Sequence, residues 1–170
     1  MSTPTKARDR LQPALLDRLT DDDPLSQVES PEQRVLNRTR MREAVLRDLG
    51  WLFNTTAMPV VKGGLDDFPE VARSVLNYGL PALSGTTTSS LDPVALEVQV
   101  RRAIMAHEPR ILPDTLQVQT VVLEDQLDHH NQVSFLISGQ LWAQPVPLEL
   151  MLHTDLDLET GRVEIKELAR

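Results

Sequence analysis

The hydrophobic period of this chain changes at Pro113, and that change constrains the fold more than any other feature. Before Pro113, apolar residues recur three or four positions apart; beyond it they alternate with polar ones. Leu116, Val118 and Val122 line one face of a first strand, and Val133, Phe135, Ile137 and Leu141 line a second. Val146, Leu148, Leu150 and Leu152 make a third, and Val163 with Ile165 a short fourth after the turn Glu159-Thr160-Gly161. Asp125 to Asn131 is the polar turn between the first two. Successive strand residues face opposite sides, so this pattern buries one face, and connections this short join antiparallel neighbours. The expected class is α+β, with N-terminal helices packed on a small, mainly antiparallel C-terminal β-sheet.

The helical half reads in four pieces. Leu11, Leu15, Leu16 and Leu19 form a short apolar clip that ends at Asp21-Asp22-Asp23-Pro24. Too few residues are available for it to be stable alone, so it must dock on its own domain or on a partner. A longer helix is expected to start near Ser30, with Pro31 at its first position and Gln33 completing a capping box. Met41, Val45, Leu46, Leu49 and Leu52 form its buried stripe, while Arg40, Glu43 and Arg47 face solvent. A second helix is expected from Pro69 to Tyr78, with Val71, Val75 and Leu76 inward and Gly79 as its C-terminal cap. A third starts at Asp92-Pro93 and uses Val94, Val98, Ile104 and Met105 as apolar positions. Residues 1–29 are thus expected to be a flexible arm carrying the clip, and 30–170 a single domain.

The third helix delivers the chain to Glu108-Pro109-Arg110. Proline fixes its own φ and biases the residue before it away from helix, so the two charges have restrained directions. The expected result is a rigid two-charge surface element at the junction of helices and sheet, suited to fixing a protein partner. An internal salt bridge between Glu108 and Arg110 is the plainer alternative; exposed, it contributes about 0–1 kcal/mol.

Composition narrows the chemistry. A chain of 170 residues without cysteine has neither disulfides nor thiolate metal sites and is long enough to bury a core. A net charge of -8 opposes long-range attraction to nucleic acid or anionic lipid, so no nucleic-acid partner is expected. No apolar run approaches the roughly 18 residues of a membrane span, and no secretory signal core is present, so a cytoplasmic address without membrane insertion is expected. No cofactor is expected.

Four blocks in order carry a resemblance. They are Leu15-Leu16-Asp17-Arg18-Leu19-Thr20-Asp21-Asp22, Arg47-Asp48-Leu49-Gly50-Trp51-Leu52-Phe53-Asn54-Thr55, Phe68-Pro69 through Ser74-Val75-Leu76-Asn77-Tyr78-Gly79-Leu80-Pro81, and Glu108-Pro109-Arg110. Together they resemble the TssE family of type VI secretion baseplate wedge subunits, within the wider phage baseplate wedge, lysozyme-like family. Gly50 departs from an acidic residue in that pattern, and Thr56 from a basic one. The resemblance implies a structural subunit that joins a wedge built with TssF-like and TssG-like proteins, beside a TssK-like baseplate protein. It also implies a sheet from which TssB/TssC-like sheath subunits polymerise, on an apparatus docked at the inner membrane. By motif, Glu108, Pro109 and Arg110 would engage the wedge core, and Leu15, Leu16 and Leu19 would be a second partner contact. Val163, Glu164, Ile165 and Lys166 would be the sheath-facing edge, open to strand addition unless Glu164 and Lys166 act as charged guards.

The lysozyme-like label raises a rival reading, glycoside hydrolysis with Glu108 as general acid. That chemistry normally needs two carboxylates about 5–9.5 Å apart across a sugar cleft. Asp114, Glu124 and Asp125 are candidate second carboxylates, but spacing selects none. His107, His129, His130 and His153 are the only imidazoles, and no metal site is expected: His129 and His130 sit beside Asp128 in a polar turn, and His153 lies on the strand face opposite Leu150 and Leu152.

Overall fold

The computed structural model describes residues 14–20, 24–25, 38–58, 65–83, 91–121, 132–143 and 146–168, with Arg18 and Asp66 as backbone only. The expected helix start at Ser30 to Gln33, Val122 and the turn containing His129 and His130 lie outside the described residues.

The C-terminal half is a four-stranded sheet in the order β1-β2-β3-β4, built from β1 (Gln117–Val121), β2 (Gln132–Leu141), β3 (Leu148–Asp157) and β4 (Val163–Glu167). All three pairings are antiparallel, with Val118 opposite Ile137, Ile137 opposite Leu152, and Thr154 opposite Ile165. The N-terminal half contributes α1 (Leu15–Leu19), α2 (Arg38–Phe53), α3 (Pro69–Ala72) and α4 (Pro93–His107). α4 packs along β1 and α2 along β4, and the two helices also touch each other. The α+β architecture is therefore the one the change of period implies.

The core lies between these helices and one face of the sheet. Val45, Leu49 and Leu52 from α2, and Leu96, Val100 and Ile104 from α4, meet Phe135, Ile137, Leu152 and Leu156. Each fully buried Leu or Ile of this kind contributes about 1.5–3 kcal/mol relative to exposure. Asp92 starts α4 as expected, its carboxylate accepting from the Val94 and Ala95 amides.

Four expectations about helices and strands need correction. In α4 the buried stripe is Leu96, Val100 and Ile104, while Val94, Val98 and Met105 are exposed. Val94 and Val98 sit two positions from Leu96 and Val100, and two positions turn a helix by about 200°, to the far side. The helix expected over 69–78 is only Pro69–Ala72, followed by a 3₁₀ turn at Val75–Asn77. Its bonds are intercepted by side chains: Ser74 Oγ donates to Val71 C=O and accepts from Leu76 N–H, and Asn77 Nδ2 donates to Ala72 C=O. Val75 and Leu76 consequently point outward, 79% and 74% exposed. Val146 is exposed and precedes β3 rather than lining it.

Gly79 is not a helix cap. Its φ of +127° lets the chain turn against the end of α2, where a Cβ would come within 2.2 Å of Thr55 O. The adjacent Leu80 N–H then donates to Thr55 C=O, and Ala57 N–H to Leu80 C=O, at 2.8 Å each.

α4 covers part of the β1 edge. Glu97 Oε1 accepts from the outward Thr120 N–H at 2.7 Å, and Arg101 Nε donates to Leu116 C=O at 3.2 Å. Glu97 and Arg101 lie four apart, so one helix face supplies both. An edge covered in this way offers less to an added strand.

Candidate functional site

Glu108 ends α4 and is 3% exposed, which corrects the expectation of a surface pair. Arg110 folds back over it: Nε donates to Glu108 Oε1 at 2.6 Å, Nη2 donates to Oε2, and the Arg110 main-chain N–H also donates to Oε1 at 3.1 Å. Pro109 sets this hairpin of charge, because two-residue spacing with a fixed φ brings the guanidinium onto the carboxylate bidentately. Pro109 itself is exposed.

The pair does not end there. Arg110 Nη2 reaches Asp48 Oδ2 of α2 at 2.5 Å, Arg47 Nε donates to Asp48 Oδ1 at 2.9 Å, and Arg47 Nη1 donates to Asp17 Oδ1 of α1 at 2.7 Å. Five alternating charges thus run from the clip, across α2, to the end of α4. The Tyr78 hydroxyl donates to Asp48 C=O at 3.1 Å, and its ring meets His107 edge-on at 5.0 Å. Asp48 and Tyr78 are the residues that sequence reasoning missed; the identical spacing of Arg47-Asp48 in the resemblance was the available signal.

Electrostatics follow the geometry. Burial lowers the Arg110 pKa, but the Glu108 and Asp48 carboxylates outweigh it and the net shift is upward. Burial, then the Asp48 and Glu108 charges, push the Tyr78 phenol up. Burial pushes the His107 imidazole down. The guanidinium of Arg110 keeps one donor, Nη1, without a partner among the described residues.

The clip is helical at Leu15–Leu19, but its leucines do not enter the core: Leu15 and Leu19 are each 73% exposed and Leu16 is 43% exposed. The Asp17–Arg47 ion pair ties it to the domain. The Arg47 guanidinium also lies 5.1 Å from the centroid of the half-exposed Trp51 ring.

At the other end of the sheet, β4 is a terminal strand. Val163 is buried, Ile165 half-buried, and Glu164 and Lys166 point out from the open face. There Asp155 accepts from Ser134 Oγ at 2.7 Å, His153 Nε2 at 2.9 Å and Lys166 Nζ at 3.4 Å. Ser, His and Asp meet in this cluster, but Ser134 and His153 both bond to the same carboxylate and not to each other, so no imidazole faces the hydroxyl as in a Ser-His-Asp triad. Burial raises the Asp155 pKa, and the Ser134 hydrogen bond with the His153 and Lys166 charges outweighs it, leaving the carboxyl below its ordinary range.

Of the rival's candidate carboxylates, Asp114 stands exposed on a 3₁₀ turn, while Glu124 and Asp125 lie outside the described residues. Among the described residues no group of three or more His, Cys, Asp or Glu could hold a metal ion. No described helix is long and apolar enough to cross a membrane.

Searches of curated proteins and of solved structures give no match. A family model, that of the baseplate wedge protein gp25, matches residues 39–146, which takes in α2, α4, the Glu108–Arg110 turn and the first two strands. That span is well over half of the chain, and the chain belongs to the baseplate wedge protein gp25 family.

Proposed function

We propose that this protein is a structural wedge subunit of a type VI secretion baseplate, cytoplasmic and recruited to the apparatus docked at the inner membrane. It joins TssF-like and TssG-like wedge subunits, beside a TssK-like protein, to TssB/TssC-like sheath subunits, whose assembly starts on its sheet. The match to the baseplate wedge family carries the reading. The four TssE-like blocks narrow it to secretion.

Two features support a division of labour. The exposed leucines of α1 and the turn of Glu108, Pro109 and Arg110 are tied to one another by the five-charge ladder, so both belong to a single wedge-facing surface. In it Glu108 acts from inside, holding Arg110 and the exposed Pro109 in place. The strand Val163, Glu164, Ile165 and Lys166 lies at the sheet edge and faces the sheath. Hydrolysis with Glu108 as general acid draws no support from the geometry, because both carboxylate oxygens are held by Arg110 beneath a surface only 3% open.

Co-expression with the TssF-like and TssG-like proteins, followed by size exclusion, tests the wedge role. Leu15→Ser with Leu19→Ser is the decisive variant, because residues this exposed can be changed without loss of folding. Co-elution of the wild type and its loss in a variant of unchanged melting temperature is the expected result. A wild type that elutes alone sinks the wedge assignment.

A further inference from the structure

The β4 edge is open over only part of its length, and the reason is a single side chain. Asp157 N–H donates to Arg162 C=O, and Leu168 N–H to Met151 C=O, so the ladder to β3 uses Arg162, Glu164, Lys166 and Leu168. The main-chain groups of Val163, Ile165 and Glu167 therefore turn away from the sheet. At Val163 both are taken by Asn54: its N–H donates to Asn54 Oδ1 at 3.0 Å, and Asn54 Nδ2 donates to its C=O at 2.9 Å. A carboxamide carries the same donor and acceptor as a peptide group, so Asn54 stands where the first residue of a fifth strand would stand. Asn54 is held there by its place just beyond α2 and by a second Nδ2 bond to Gly50 C=O at 2.8 Å.

Beyond Asn54 the edge changes character. No hydrogen bond to a described residue occupies the outward groups of Ile165 and Glu167; Arg42 reaches the Glu167 carboxylate at 3.3 Å and donates to Glu149 C=O of β3 at 2.6 Å, not to these groups. At the opposite edge, β1, Glu97 and Arg101 of α4 take the Thr120 N–H and the Leu116 C=O.

We propose that Asn54 is a stop for strand addition: it seals Val163 so that an extended strand of a sheath-type partner pairs only from Ile165 onward, in one register. The inference rests on the reading of β4 as the sheath-facing edge and adds what fixes the alignment there. Register in a sheet is otherwise weakly specified along an edge whose outward groups are all alike, and slippage by two residues keeps every side chain on its own face. The edge binds a peptide-like group already, in the form of Asn54, which is why a strand is the occupant chosen.

The chain has no cysteine, so introduced thiols report only the designed contacts. The full-length protein with Glu164→Cys is mixed with sheath subunits carrying single cysteines along a candidate strand, in the Asn54, Asn54→Ala and Asn54→Asp backgrounds, with Val163 amide exchange measured in parallel. With Asn54 intact, one cross-link position is expected; Asn54→Ala adds a second, two residues away, and speeds Val163 amide exchange about fivefold, as for one lost hydrogen bond. Asn54→Asp keeps the acceptor for the Val163 amide but not the donor to its carbonyl, so exchange stays slow while the second cross-link appears. Unchanged Val163 exchange in Asn54→Ala, or identical cross-links in all three, overturns the stop. No cross-link to sheath subunits in any background overturns the sheath-facing edge, and the register role with it. Cross-links between two copies of this chain instead would overturn the sheath strand as occupant.

Discussion

At the scale of single residues, the side chains that matter are those whose partners come from distant parts of the chain. Glu108 and Arg110 are legible in the sequence as a restrained pair. Their burial is not, because it depends on Asp48, 62 residues from Arg110, arriving on the third side. That burial reverses what a mutation should do. Glu108→Ala leaves a guanidinium with its main counter-charge gone, and is expected to lower unfolding free energy by about 3 kcal/mol. The double variant with Arg110→Ala should cost clearly less than the sum of the two single ones, since neither charge is then stranded. Urea titration of the three variants reads this coupling directly, and additive losses would mean that the pair is not an interacting unit. Asn54 teaches the same lesson. From sequence it is a turn residue after a helix; only the fold places it 109 positions from Val163 and in contact with it.

At the scale of elements, periodicity identified α2 and the strands because each buries a stripe set by its own geometry. It failed for the stretch 69–78, where Ser74 and Asn77 divert the backbone bonds that a helix needs. In α4 it found the element and the buried Ile104, but Val94, Val98 and Met105 lie on the outer face, since valines occur on both sides and only contact with β1 selects between them. α2 itself carries a glycine near its end, Gly50, with no atom within 4 Å of where a Cβ would stand. Gly50→Ala is therefore expected to raise stability by about 0.5–1 kcal/mol, through the chain entropy that glycine loses on entering a helix. A denaturation midpoint that falls would mean the position is constrained by something other than helix propensity.

At the scale of the whole molecule, the titratable groups bias stability in one direction. The half-buried His107 has its pKa pushed down, so below about pH 6.5 the unfolded chain takes up the proton more readily and stability falls as pH drops. Asp155 and Asp157 also have lowered pKa values, Asp157 through amide hydrogen bonds from Thr160 and Glu159. Their contribution is present above the ordinary carboxyl range, near pH 4, and is lost as pH falls through their folded values. Melting temperature should thus decline in two steps, the first near pH 6 and absent in His107→Phe, the second below pH 4 and retained. The sequence by itself determined the class of fold, the ends of α4 and the sequence of strands, because hydrophobic period, capping and turn chemistry act over a few residues. Tertiary structure alone decided that Glu108 is internal, that the leucines of the clip stay outside, and that Asn54 takes the outward groups of Val163. Each of those outcomes depends on an ion pair or hydrogen bond between residues far apart in the chain, and local patterns carry no record of where such partners meet.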